Sequence, residues 1–154
     1  MSAYEIVKVL HILSATLIFG TGLGTAFVVW RANRGGDVAA IAFATRHAVV
    51  ADWLFTTPAV IFQPLSGLWL VYEVGYGFTE PWLLWVYGLY ALAGACWLPV
   101  VGLQLRMSRL AAAAAREGSA LPEAYRRHMR LWFTLGWPAF LALVAVFWLM
   151  VARP

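Results

Sequence analysis

The chain has 154 residues, of which 63% are hydrophobic, 16% aromatic and only 12% charged, and its mean hydropathy is +0.77. Water-soluble domains carry about a quarter charged residues, so this composition excludes an ordinary soluble enzyme. A single cysteine, Cys96, excludes an intrachain disulfide.

Crossing a hydrocarbon core takes about 20 apolar residues in a helix, and four runs qualify: 4–30, 48–74, 81–105 and 131–151. The fold expected is all-α, a four-helix transmembrane bundle in one domain spanning 1–154. The first run, "YEIVKVLHILSATLIFGTGLGTAFVVW", is too long for a signal-peptide core and no A-x-A-like site follows, so it is expected to stay in the mature chain. It carries Lys8 and His11 on one face near its start, and Gly20-x-x-x-Gly24 matches the small-residue motif of close helix crossings. The loop "RANRGGDVAAIAFATRH" breaks at Gly35-Gly36 and then restarts as a helix that leads into the second run.

In the second run Asp52, Thr56, Ala59, Gln63 and Ser66 recur at three- and four-residue spacing and form one polar stripe, which must face protein. In the third, Tyr90, Trp97 and Gln104 recur every seven residues and offer a mixed face to meet it. The next loop, "RLAAAAAREGSALPEAYRRHMR", reads as a helix extension, a Gly118–Pro122 turn and a restart at Pro122-Glu123. Prolines interrupt three runs, at Pro58 and Pro64, Pro99, and Pro138, and each frees a carbonyl four residues earlier. "RHAVVADWLFTTPA" and "RRHMRLWFTLGWPA" echo one another at the entries of the second and fourth runs, a pattern compatible with a parallel duplication.

Arginines set the expected orientation. Arg31, Arg34 and Arg46 lie in the first loop and six more, from Arg106 to Arg130, in the third, whereas "EVGYGFTEP" has no base. By the positive-inside rule both termini are extracytoplasmic. Topology thus accounts for the net charge of +4 without nucleic acid. Tyr4, Trp30, Tyr72, Tyr76, Trp82 and Trp148 fall where an aromatic belt is expected. The chain is read as a multi-pass protein of the plasma membrane, the inner membrane of a Gram-negative host.

Ionisable residues inside a bilayer cost at least ~2.5 kcal/mol and mark functional or structural sites. Arg130 enters the fourth helix at a depth comparable with Asp52, so an Asp52–Arg130 pair is expected, in a structural polar cluster with Gln63 and Gln104. Lys8 can snorkel to the surface, but His11 lies a turn deeper and needs a hydrogen-bond partner or a metal. Zinc and copper want several ligands, which the levels around His11 do not offer. Haem would supply iron for the imidazole and propionates for Lys8. His47 and His128 are read as interfacial residues at the opposite end.

The stretches "YEIVKVLHILSATLIFGTGLGTAFVVWRANR", "VVADWLFTTPAVIFQPLSGLWLV", "LAGACWLPVVGLQLRM", "LPEAYRR" and "WFTLGWPAF" identify the chain as resembling a bacterial family of four-helix integral membrane proteins of unknown function. Its first helix, with lysine, two apolar residues, histidine and a glycine-bearing run, is also similar to the opening of HemJ-type protoporphyrinogen oxidases and CopD-like membrane domains. That second resemblance covers one helix, and the later helices depart from HemJ. It implies haem b on His11, with Lys8 beside it, and a membrane oxidoreductase or electron carrier using quinone or porphyrin. The alternative is a cofactor-free membrane scaffold or small-molecule permease subunit. A homo-oligomer in the lipid bilayer is compatible with both.

Overall fold

The computed structural model describes residues 2–152. Helix α1 spans Ala3–Gly35, α2 Val38–Ala51, α3 Thr57–Val74, α4 Pro81–Glu117 and α5 Glu123–Ala152, and a π-helical turn at Asp52–Thr56 joins α2 to α3. Counting α2 through α3 as one span, four helices are long and apolar enough to cross a membrane. Each of the four expected apolar runs lies within one of these helices, and each helix extends beyond its run at the arginine-rich end.

Local chemistry fixes the ends. Ser2 and Glu5 form a reciprocal capping box at the start of α1. Gly36 closes that helix in the left-handed region at φ 76°, where a side chain would be strained, and Asp37 then caps α2 by accepting from the amides of Ala39 and Ala40. Gly118, at φ 62°, ends α4 in the same way. The two arginine-bearing connections are therefore tight turns between helices that project beyond the apolar runs.

Packing is uneven along the bundle. At the arginine-rich end Val29, Ile41, Ala44, Ala48, Met107, Ala111, Tyr125 and Trp132 form the main core, where α2 lies on α4 and α4 on α5. At the end holding the termini, a smaller cluster of Val71, Trp82, Leu83 and Val86 closes the bundle. Trp82 is thus buried in this cluster rather than displayed in an aromatic belt. Helix α1 packs on α2 and α3 but touches α5 little. Nothing lies within 4 Å of the positions a Cβ would take at Gly20, Gly22 and Gly24. Within the chain, the small residues of α1 therefore border open space rather than a close helix crossing.

The orientation argument gives a direct expectation. A reporter fused after Pro154 should behave as extracytoplasmic, with alkaline phosphatase active and a fluorescent protein dark, and the reverse pattern would overturn the topology.

Candidate functional site

Proline explains the second span's irregularity. Pro58 has no amide to donate to Leu54, and immediately before it the helix widens, with the Thr57 amide reaching back to the Asp52 carbonyl, an i to i−5 bond. Pro64 would orphan the Val60 carbonyl, but the Tyr90 hydroxyl donates to it across the bundle at 2.7 Å. Tyr90→Phe should therefore cost about 1–3 kcal/mol. In a Pro64→Ala background, where the restored amide can satisfy Val60, the same change should cost much less in SDS unfolding. Equal losses in both backgrounds would mean the hydroxyl does not serve this carbonyl.

The stripe on the second span faces protein as its spacing requires, but it serves two sites. Its Ser66 end meets α1. Ser66 Oγ lies 2.8 Å from His11 Nδ1, and the Gln63 amide nitrogen lies 3.0 Å from His11 Nε2, so both imidazole nitrogens are engaged. The Ser66 hydroxyl is also placed to donate to the Phe62 carbonyl at 2.8 Å. When it does so, it accepts from His11 Nδ1–H, which leaves Nε2 as the lone-pair nitrogen facing Gln63. Gly67 lets the ring lie against the helix, since a Cβ there would stand 3.1 Å from His11 Cε1. One turn deeper, Ser14 donates to the Ala59 carbonyl at 3.1 Å. Lys8 is exposed, its ammonium 5.5 Å from the centre of the Tyr4 ring.

The Asp52 end of the stripe faces a cavity of about 400 Å³ enclosed by all four spans. Asp52 is 7% exposed and accepts from the Thr56 hydroxyl at 2.8 Å. The α4 face of Tyr90, Trp97 and Gln104 lines it too, and α5 adds Trp132, Phe133, Trp137 and Phe140. Gln104 Oε1 accepts from the Trp132 indole at 3.1 Å and its side chain also meets the Asp52 carboxylate, while Trp97 Nε1 is a buried donor without a partner. Leu23 and Phe27 of α1 and Trp137 of α5 line the cavity and are also exposed on the bundle's surface, so it reaches the lipid between these two helices. Towards the end holding the termini, Phe19 bridges that gap by stacking on Phe140 and meeting Phe147 edge-on, at 5.1 and 5.6 Å.

One expectation is corrected here. Arg130 does not reach Asp52: its side chain is 75% exposed and bonds Glu123 at 3.3 Å, and Arg126 bonds the same carboxylate at 3.2 Å. The first turns of α5 project past the apolar run, so an acid seven residues earlier on the same helix is nearer to water and to Arg130 than the buried Asp52. The expected cluster is thus dispersed, with Asp52 and Gln104 at the cavity, Gln63 at His11 and Arg130 at the surface. Spacing alone missed the Gln104–Trp132 and Ser14–Ala59 bonds, although a polar residue at a helix-facing position was the available signal for each. The echo between the second and fourth spans also stops short of geometry, because α5 continues as α-helix through Pro138, with no π turn.

A family model described as "Predicted integral membrane protein (DUF2269)" matches residues 5–154. No curated protein and no solved structure matches the chain.

Proposed function

The chain belongs to this family of predicted integral membrane proteins, and from that premise we propose that it binds a lipid-soluble small molecule inside the bilayer, taken up between α1 and α5. The observation that carries this reading is the cavity of about 400 Å³ with its aromatic walls and one acidic corner. Such a site suits a molecule with a flat or branched apolar body and a polar head, the pattern of small-molecule pockets generally. The partnerless donor on Trp97 offers that head a hydrogen bond, and its desolvation has no other compensation. With its arginine-rich loops cytoplasmic, the protein would present this site to molecules partitioned in a bacterial inner membrane.

Gly94 and Gly136 line the cavity, and a Cβ at either meets nothing within 4 Å. Replacing both with leucine should therefore fill the site without a clash, and helix propensity favours the change by up to ~1 kcal/mol at each position. Purified wild type should show saturable binding of the neutral probe N-phenyl-1-naphthylamine. Gly94→Leu/Gly136→Leu should weaken it about tenfold or more, a loss of ~1.4 kcal/mol, while melting at the same temperature or higher. Absence of saturable binding to wild type would sink the reading.

A second reading, a haem-binding redox protein, is favoured by the Ser66 contact. A neighbour that accepts from Nδ1–H holds the tautomer in which Nε2 can ligate iron. Gln63 now occupies that lone pair and would have to swing aside, and exposed Lys8 could meet a propionate. Haem would supply one-electron chemistry. The cavity lining holds no histidine, cysteine or methionine, so the two readings concern different places and are tested separately. Protein purified from haem-replete cells should then show a Soret band that His11→Ala abolishes or shifts and that His47→Ala and His128→Ala leave unchanged. A colourless wild-type preparation would remove this reading.

A further inference from the structure

We propose that the ligand of the α1–α5 cavity is an organic cation and that Asp52 is its counter-ion. This rests on the binding reading above and adds the charge of the ligand to it.

The argument starts from an electrostatic imbalance. An ionised carboxylate offers about four lone-pair sites, and the partners found at Asp52, the Thr56 hydroxyl and the Gln104 side chain, are both neutral. Among the described residues the ion pairs join Glu123 to Arg126 and Arg130, at the surface, and none reaches Asp52. The lining contains no lysine, arginine or histidine. A buried carboxylate that lacks a protein cation either takes up a proton or is neutralised by a cation from elsewhere. A ligand entering from the lipid can be that cation.

The walls favour the same charge. Tyr90, Trp97, Trp132, Phe133 and Trp137 line the cavity that Asp52 lines, and the negative faces of aromatic rings attract cations by about 0.5–1 kcal/mol each at exposed sites and more when water is excluded. Rings also accept the apolar substituents that carry an organic cation into a bilayer. An anion would meet the carboxylate and the ring faces unfavourably at once.

A proton and an organic cation neutralise the same oxygens, so they compete. Of the elements around Asp52, α1, α3 and α5 bring no other titratable side chain to the lining, α2 does not line it, and α4 brings Tyr90, whose hydroxyl is committed to Val60. Binding of a permanently charged ligand should therefore weaken as pH falls, and the response belongs to one carboxylate.

Tetraphenylphosphonium, whose charge does not titrate, is the probe. Detergent-purified wild type should bind it saturably, more weakly at about pH 5 than at about pH 8 as a proton takes its place, while N-phenyl-1-naphthylamine binding above the probe's own titration range stays level. Asp52→Asn keeps the size of the side chain and an acceptor for Thr56. It should weaken tetraphenylphosphonium about tenfold or more and leave the neutral probe within about twofold. The wild-type pH profile carries the test even if the variant fails to fold. Binding of the neutral probe without the cation, or cation binding indifferent both to pH and to Asp52→Asn, would overturn the counter-ion assignment and leave the cavity reading standing. Failure of both probes would remove both.

Discussion

Trp132→Ala is expected to lower stability by about 3–5 kcal/mol in SDS or thermal unfolding, the usual range for truncating a large aromatic residue in a packed core. Trp132 is 6% exposed and sits in the main core with Met107, Ala111 and Tyr125. Its loss removes packing from the main core and from the cavity lining. It also strips Gln104 of the partner for its oxygen. Trp132→Phe separates the two causes. It keeps most of the packing and loses the indole N–H, so it should cost only about 1–3 kcal/mol. If Trp132→Phe is as damaging as Trp132→Ala, shape rather than the Gln104 bond holds this corner. If Trp132→Ala is nearly neutral, the arginine-rich end is not the part of the bundle that carries its stability.

Hydropathy found the four spans because a bilayer demands long runs of apolar side chains whatever their neighbours are. Glycine found the turns at Gly35–Gly36 and after Glu117, because a left-handed cap is a local device. The stripe from Asp52 to Ser66 was equally legible as a face. What it faces was not. His11 and Ser66 are 55 residues apart and Gln104 and Trp132 are 28 apart, and which helices adjoin is decided by packing over the whole bundle.

Asp52 shows the limit most clearly. Depth along the helix axis suggested Arg130 as its partner, but depth says nothing of direction around the axis. The exposed start of α5 gave Arg130 a closer acid in Glu123, and the π turn ahead of Pro58 placed Asp52 on the cavity wall. The cavity itself has no signature in composition, since it arises where α1 and α5 fail to meet. Its aromatic lining reads in sequence like any other lipid-facing helix.

Gly67→Leu is expected to destabilise the α1–α3 seam by about 2–4 kcal/mol, because it should expel the His11 ring and orphan hydrogen-bonding groups worth about 1–3 kcal/mol each. A Cβ at residue 67 would stand 3.1 Å from His11 Cε1 and 3.9 Å from both ring nitrogens. The imidazole cannot retreat far while Ser66 and Gln63 hold its two nitrogens. Gly67→Ala should therefore do less, since a shift of a few tenths of an ångström relieves one methyl group, and Gly67→Leu should do most of what His11→Ala does. The decisive measurement is the double-mutant cycle. Once His11 is alanine there is no ring to displace, so adding Gly67→Leu should cost little, and the two changes together should fall well short of the sum of each alone. Additive losses would mean that the glycine is there for the backbone of α3 and that the close approach of the imidazole is incidental.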